Sequence, residues 1–458
     1  MRPFFLCRNM TPTITTPSAN VPQSALLLGA GVLSLALVLG GGQGGLGDSL
    51  TQLLALLLIG FLLYQQPNVR QWPMASWLVG LPVLALFIYL FPWPEAFNQA
   101  GEMRRVIAES QQPLIGDGMQ IGALIPQSAE RALFWLLPGI SVFWLALQCS
   151  LRQKALLAGL VLLWVFVGAL FGLAQKAGGL DSLLYFFSNT NRGSAVGLFA
   201  NNNHYAIAMA ASLPLVWAGL VWLFNRRAEK YVHPLWFPAV SGIAIVFILG
   251  FMLSGSRAGL MLGMLGCLLM LPAVIGADRH EGGKHWLFAT MAIGLFLTAQ
   301  VGLYFVVLQF DGGALEDIRF PIAEITRQAA SAYAPVGTGP GGFWFAFPQF
   351  DGFLTGNVIV NHAHNDYLEL WLEMRWLALA AGLPLLALFF WQGLRIWLRG
   401  KTWKIDELLL ARAAWVGLLL LLIHSFVDYP LRTTAISTMA GLFAALLVMP
   451  ASARAPTD

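Results

Sequence analysis

Residues 361–373, NHAHNDYLELWLE, hold two histidines, two asparagines and three carboxylates between long apolar stretches. Ionisable groups that dense, next to apolar segments of spanning length, mark a place where chemistry is done. His362, His364 and Asp366 form an HxHxD pattern, one part of a metallohydrolase site. That pattern wants another His where Tyr367 stands, and no HExxH or second cluster completes a shell of three or four ligands, so no metal is expected. Local geometry offers more. Asp366 and Glu369, three residues apart at the start of an apolar run, fit a capping box that opens a helix. His364 then lies just before the helix N-terminus, where the positive end of the dipole disfavours an imidazolium and leaves a neutral ring able to accept a proton. The same end attracts anions, diphosphate among them. The bland alternative is that Asp366 and Glu369 only cap and that His362 only bonds its own loop.

Arginines supply the complementary charge. Arg257 in SGSRAG stands at an outer helix end, where a purely topological Arg is not expected, so it needs an anionic partner. Arg192, in NTNRGSAVGLFANNNHYA, lies in a long loop beside Asn201, Asn203 and His204. Both are candidates for a guanidinium grip on phosphate oxygens, against the alternative of loop bracing or snorkelling. Arg319 is a third candidate. Asp428 and Arg432, in HSFVDYPLRT, are spaced for an i,i+4 pair or for orienting the other groups. Gly337, Gly339 and Gly342 in PVGTGPGGF match GxGxxG literally, but no strand precedes them and no helix pattern starts there, so a tight turn is expected and not a nucleotide loop.

These groups must be positioned by membrane helices. The chain is 58% hydrophobic and only 10% charged, with 17 Trp and 31 Phe, and its mean hydropathy is +0.70, outside the range of soluble domains. About twelve apolar runs are long enough to span, centred near Leu35, Leu57, Leu84, Leu136, Val165, Leu215, Ile245, Leu265, Leu295, Leu383, Leu420 and Leu442. Short connections carrying Arg152 and Lys154, Arg226 to Lys230, Asp278 to Lys284 and Arg395 to Lys404 alternate with longer acidic ones, which puts the basic turns and both termini in the cytoplasm. Divided so, the cytoplasmic side carries roughly +10 and the outer side roughly −6, which sum to the net +4.

The first run follows TPTITTPSAN without a small-residue cleavage pattern and reads as a retained span. Cys7, Cys149 and Cys267 are scattered and suggest neither a disulfide frame nor a zinc knuckle. The whole chain, 1–458, reads as one integral membrane domain. Three outer connections are long, near 91–131, 174–204 and 310–375, and the last, between the ninth and tenth spans, carries the catalytic segment. Within it Ile318, Ile322 and Ile325 oppose Glu324, Arg327 and Gln328, the pattern of an amphipathic interfacial helix that roofs the site.

FANNNHYAIAMA, SGSRAGL, PVGTGPGGF and NHAHNDYLELWLE, in that order on the outer ends of successive spans, resemble the O-antigen ligase and polysaccharide polymerase family over about residues 192–432. The resemblance implies a metal-independent, GT-C-like glycosyltransferase of the bacterial inner membrane, with no cofactor. Its donor would be a glycan on undecaprenyl diphosphate, presented on the periplasmic side, and its acceptor a growing glycan or lipid A core. It lends His364 followed by Asn365, the arginine of the SRxG segment at Arg257, and the arginine upstream of the NxNH-like segment at Arg192. The match departs where EMRWLAL replaces the usual ELGLLG. In the implied mechanism an acceptor hydroxyl attacks the anomeric carbon with His364 as base, while Arg192 and Arg257 hold the departing diphosphate. Membrane lipid is an expected partner and nucleic acid is not. A transporter or flippase, a membrane metallohydrolase and a protein O-oligosaccharyltransferase are the other classes; a transporter should carry its polar residues near mid-membrane, whereas here they cluster at outer ends.

Overall fold

In hydrocarbon a chain can satisfy its backbone only by coiling into helices or closing a barrel, and the long Leu- and Ala-rich runs here coil. The computed structural model describes residues 21–42, 44–66, 74–115, 120–188, 190–226, 233, 235–275, 291–292, 296, 318–352, 360–398 and 404–448. In chain order these form α1 (Gln23–Leu39), α2 (Leu46–Gln65), a 3-10 turn (Met74–Val79) running into α3 (Gly80–Leu90), β1 (Pro92–Trp93), α4 (Glu95–Asn98), α5 (Glu102–Ile115), β2 (Gln120–Ile121), α6 (Pro126–Gln148), α7 (Leu151–Gly178), α8 (Asn202–Asn225), α9 (Trp236–Leu253) and α10 (Arg257–Ile275). They continue with α11 (Arg319–Ala332), α12 (Phe343–Ala346), α13 (Asp366–Met374), α14 (Trp376–Leu398), α15 (Ile405–His424), a 3-10 turn (Pro430–Arg432) and α16 (Thr434–Leu446). β1 and β2 make a single antiparallel pair, Pro92 opposite Ile121.

Among the described residues eight helices are long and apolar enough to cross a membrane, namely α2, α6, α7, α8, α9, α10, α14 and α15, and α1, the α3 segment and α16 are shorter apolar helices. The chain is an all-α multi-pass membrane protein. Expected span centres fall on all of these helices, and the one near Leu295 lies outside the described residues, as do both termini. The centre is α8, whose apolar window is 89% buried against 28% for α2 and 17% for α14. Ala206, Ala208, Ala210 and Ala211 let α7, α9, α10 and α15 approach its backbone closely. The outer helices turn Leu53, Leu57, Leu383 and Phe390 outward, the pattern of a lipid-facing surface.

The helix ends sort into two groups. At one end Ala435 N donates to Gly40 O at 3.1 Å, Ala200 N to Gly41 O at 3.0 Å and Asp366 N to Ser425 O at 2.9 Å, drawing residues 40–45, 190–201, 361–366 and 425–433 together. His364 is at this end. At the opposite end Lys154 Nζ donates to Val448 O at 3.3 Å and Arg226 pairs with Asp406.

The segment before α14 is itself structured. α11 buries Ile322, Ile325 and Ala329 against α13 and turns Glu324, Arg327 and Gln328 outward, while Ile318, expected on its apolar face, precedes the helix and is exposed. PVGTGPGGF is a turn, with φ of +83° at Gly337 and +89° at Gly339. A Cβ at Gly337 would come within 2.5 Å of Glu373 O, so this turn wraps the end of α13 at a distance that only glycine allows. The connection between α3 and α6 holds it there: buried Arg104 donates to Gly337 O at 2.6 Å and to Gly122 O at 2.7 Å, and Leu124 N donates to Thr338 O at 3.0 Å.

Candidate functional site

His364 sits two residues before α13 with φ +49°, a left-handed conformation that non-glycine residues enter at a cost of about 1 to 3 kcal/mol and keep where surroundings over-determine them. The surroundings are on the 425–433 connection. His364 Nδ1 faces Asp428 Oδ1 at 3.2 Å, and the carboxylate is 1% exposed while the ring is 24% exposed. Burial works against the Asp428 charge, but the imidazoles of His204 and His364 hold its pKa well below the usual carboxylate range. An ionised carboxylate only accepts, so the contact favours a proton on Nδ1, the tautomer whose neutral ring has its lone pair on Nε2. His204 Nε2 approaches the same Asp428 oxygen to 3.8 Å, beyond hydrogen-bond range, and Tyr429 N donates to it at 2.9 Å. The Tyr429 ring is the common wall, with centroids 4.2 Å from His362, 4.9 Å from His204 and 5.1 Å from His364.

Next to this pair lies a buried charge cluster around Arg432. Its guanidinium reaches Asp366 Oδ1 at 3.4 Å, Glu369 Oε1 at 3.0 Å and Glu373 Oε2 at 3.0 Å. Two sequence expectations are corrected here. Asp428 and Arg432, read as an i,i+4 pair or as orienting the other groups, do not pair with each other: Asp428 turns to His364 and Arg432 to the α13 acids. Nor do Asp366 and Glu369 form a capping box: Asn365 is the N-cap, accepting from Leu368 N at 3.0 Å, and Glu369 turns back to His362 Nδ1 and Ala363 N, both at 2.8 Å. Asp366 instead accepts from Ser425 Oγ at 2.8 Å. The tenth span does not open at Asp366 either, since α13 ends at Arg375, φ +49°, and α14 begins afresh at Trp376.

One cation among three buried acids leaves negative charge to be neutralised by protons. Burial raises Glu373 despite Arg432, whereas burial of Glu369 is outweighed by Arg432 and His362, which lower it. Burial pushes Asp366 up to about 7 against the pull of Arg432 and Ser425. A carboxyl raised in the folded state keeps a proton that unfolding releases, so its contribution is full below about pH 4 and is lost as pH rises through about 7. Asp366→Asn is therefore expected to flatten a decline in thermal stability across that window. Melting in nanodiscs at stepped pH checks it: parallel curves for wild type and variant would refute the assignment.

The arginine candidates reach this end from other connections. Arg257 is the first residue of α10 and exposed. Ser254, three residues before it, accepts from Asn202 Nδ2 at 2.9 Å, which ties that turn to the N-terminus of α8. Asn203 is fixed there through its backbone N–H to Asn201 Oδ1 at 2.7 Å. Arg192 follows Asn191, whose side chain accepts from Asn202 N at 3.1 Å; its own guanidinium donates to Leu180 O at 3.3 Å and lies 5.4 Å from the Tyr185 ring centre. Arg319, at the start of α11, is near enough for its charge to act on His424, one turn before Asp428.

The site thus gathers His362, His364, Asn365, Asp366, Glu369, Asp428 and Arg432 in one contact network. Arg192, Arg257, Arg319 and Asn203 stand on its flanks. Sequence reasoning missed His204, Glu373 and Tyr429. The signal for His204 was present: like His364, it precedes a long apolar run. Among the described residues no group of three or more His, Cys, Asp or Glu side chains is arranged to hold a metal ion. Chemically, the network can present a neutral imidazole backed by a fixed carboxylate, beside exposed guanidinium groups able to bind an anion. No protein-family model matches the chain, and no curated protein matches it.

Proposed function

We propose that the protein is a membrane glycosyltransferase of the O-antigen ligase and polymerase type, moving a glycan from undecaprenyl diphosphate to a polysaccharide or lipid A-core acceptor. The observation that carries the reading is the His364–Asp428 pair, with its free Nε2 at the same helix end as three arginines. In the reaction an acceptor hydroxyl attacks the anomeric carbon, His364 Nε2 takes its proton, and the bond to the diphosphate breaks on the opposite face, inverting the centre. Asp428 stabilises the imidazolium that forms. Arg257, Arg192 and Arg319 receive the charge that grows on the leaving diphosphate, the place a divalent cation takes in other transferases. In this reading there are twelve spans in a GT-C-like arrangement, both termini are cytoplasmic, and the His364 end opens to the periplasm of the inner membrane.

The test is transfer by purified protein in nanodiscs from a lipid diphosphate glycan. Turnover is expected to persist in EDTA. Arg257→Lys and Arg192→Lys, which keep the charge and lose the two-pronged donor, are expected to slow it roughly 10- to 100-fold. Loss of turnover restored by Mn²⁺, or full activity of both lysine variants, would overturn the arginine mechanism. Lipid flipping without glycan transfer would overturn the reaction class.

A further inference from the structure

A second feature of the His364 end is a cavity of about 400 Å³ walled by the first turns of α2 and α6 and by the loop that leads into α12. The volume is within the usual range for small-ligand sites. Its chemistry is mixed in a particular way. Trp344 is 56% exposed, and its indole N–H is spent on Ser128 Oγ at 3.1 Å, which fixes the ring in the lining of the cavity. Trp135 adds a second indole to the lining. Between them are polar groups with capacity to spare. Arg131 and Gln52 make no hydrogen bond or ion pair among the described residues. Asp48, 5% exposed, gives one oxygen to Gly44 N at 2.7 Å, and its Oδ1 accepts nothing among the described residues.

Flat aromatic faces beside amide, guanidinium and carboxylate groups suit one ligand class well. A pyranose ring offers a patch of weakly positive C–H bonds to the negative face of an indole and a rim of hydroxyls that both donate and accept. A phosphate would use Arg131 and be repelled by Asp48; an acyl chain would leave all three polar groups unmet.

The cavity is built from elements other than those that carry Arg192 and Arg257, the residues proposed to hold the diphosphate. It is nevertheless wired to the catalytic network. The loop lining it passes over α13, where Phe343 N donates to Glu373 Oε1 at 3.4 Å, and Glu373 in turn holds Arg432. We infer that this cavity is a subsite for one or two sugars of the acceptor, held away from the reacting hydroxyl. The inference rests on the glycosyltransferase reading and narrows it to an oligosaccharide acceptor rather than a single hydroxyl on a protein.

The experiment uses full-length protein in nanodiscs and, as probe, the oligosaccharide released by mild acid from the producing cell's own surface glycan. Saturable binding is expected in wild type and equally in His364→Gly, weakened about 10-fold or more by Trp344→Ala and by Gln52→Ala, each removing one stacking or hydrogen-bonding partner. In the transfer assay the same two variants should raise the acceptor KM by a similar factor with less effect on the donor KM. Unchanged binding and unchanged acceptor KM in Trp344→Ala would overturn the subsite while leaving the transferase reading intact. Displacement of the probe by dihexanoyl phosphatidylglycerol, with dependence on Arg131 alone, would overturn it in favour of a lipid phosphate seat. Probe binding that follows Trp344 and Gln52 in a protein unable to transfer would keep the glycan site and sink the transferase reading.

Discussion

His364→Gly is expected to give a protein that folds as well as wild type and transfers glycan more slowly by a factor on the order of 10³. Glycine is the informative replacement because residue 364 has φ +49°, which glycine adopts freely and alanine resists. A loss of activity in His364→Gly then reports the imidazole and not a disturbed backbone. Asp428→Asn should follow with a drop on the order of 10². The asparagine keeps the shape, but its amide can donate to Nδ1 and so favour the wrong tautomer, and it removes the charge that steadies the imidazolium. Single-turnover transfer by both variants, with melting curves beside them, makes the check. Near-normal turnover in His364→Gly would remove His364 from the chemistry, whatever Asp428 does. Equal losses in His362→Ala and His364→Gly would point back to a pair of metal ligands.

Much of the fold was legible because hydrocarbon imposes a simple rule: runs of about 20 apolar residues become helices. The break inside the expected tenth span was not legible. Neither Gly nor Pro stands in EMRW, and Arg375 turns the chain at φ +49° with its guanidinium 4.2 Å from the Trp371 ring centre and donating to Ala330 O at 3.0 Å. That bracing comes from α11, 45 residues away in sequence. The site was legible to the same depth. His364 stood out because a local signal, polar residues at a helix start, marked it. Its partner did not, since Asp428 reaches it across 64 residues and its spacing to Arg432 imitated a helical pair. Glu369 likewise imitated a cap. Spacing rules describe neighbours on one helix, and here the neighbours were supplied by another connection.

Replacing Arg432 with Met is expected to destabilise the His364 end by about 3 to 5 kcal/mol, because it strands three buried carboxyls without their cation. The side chain is 12% exposed, so water offers the acids little relief. What fails first follows from the contacts. Asp366, Glu369 and Glu373 belong to α13, Arg432 to the turn after α15, and the His364–Asp428 contact is strung between the same two segments. Loss of the guanidinium should therefore separate His364 from Asp428 as well as lower the melting point. Arg432→Lys should fall between, since one ammonium cannot reach three acids in the geometry of a planar fork. Adding Asp366→Asn and Glu373→Gln to Arg432→Met removes two of the stranded carboxyls and should recover much of the stability but little of the activity, because the tie between the two segments is still missing. Melting and limited proteolysis in nanodiscs, read against turnover, separate these effects. If Arg432→Met melts like wild type, the cluster does not hold the two segments together; if the triple variant regains full turnover, the cluster has no part in setting His364 against Asp428.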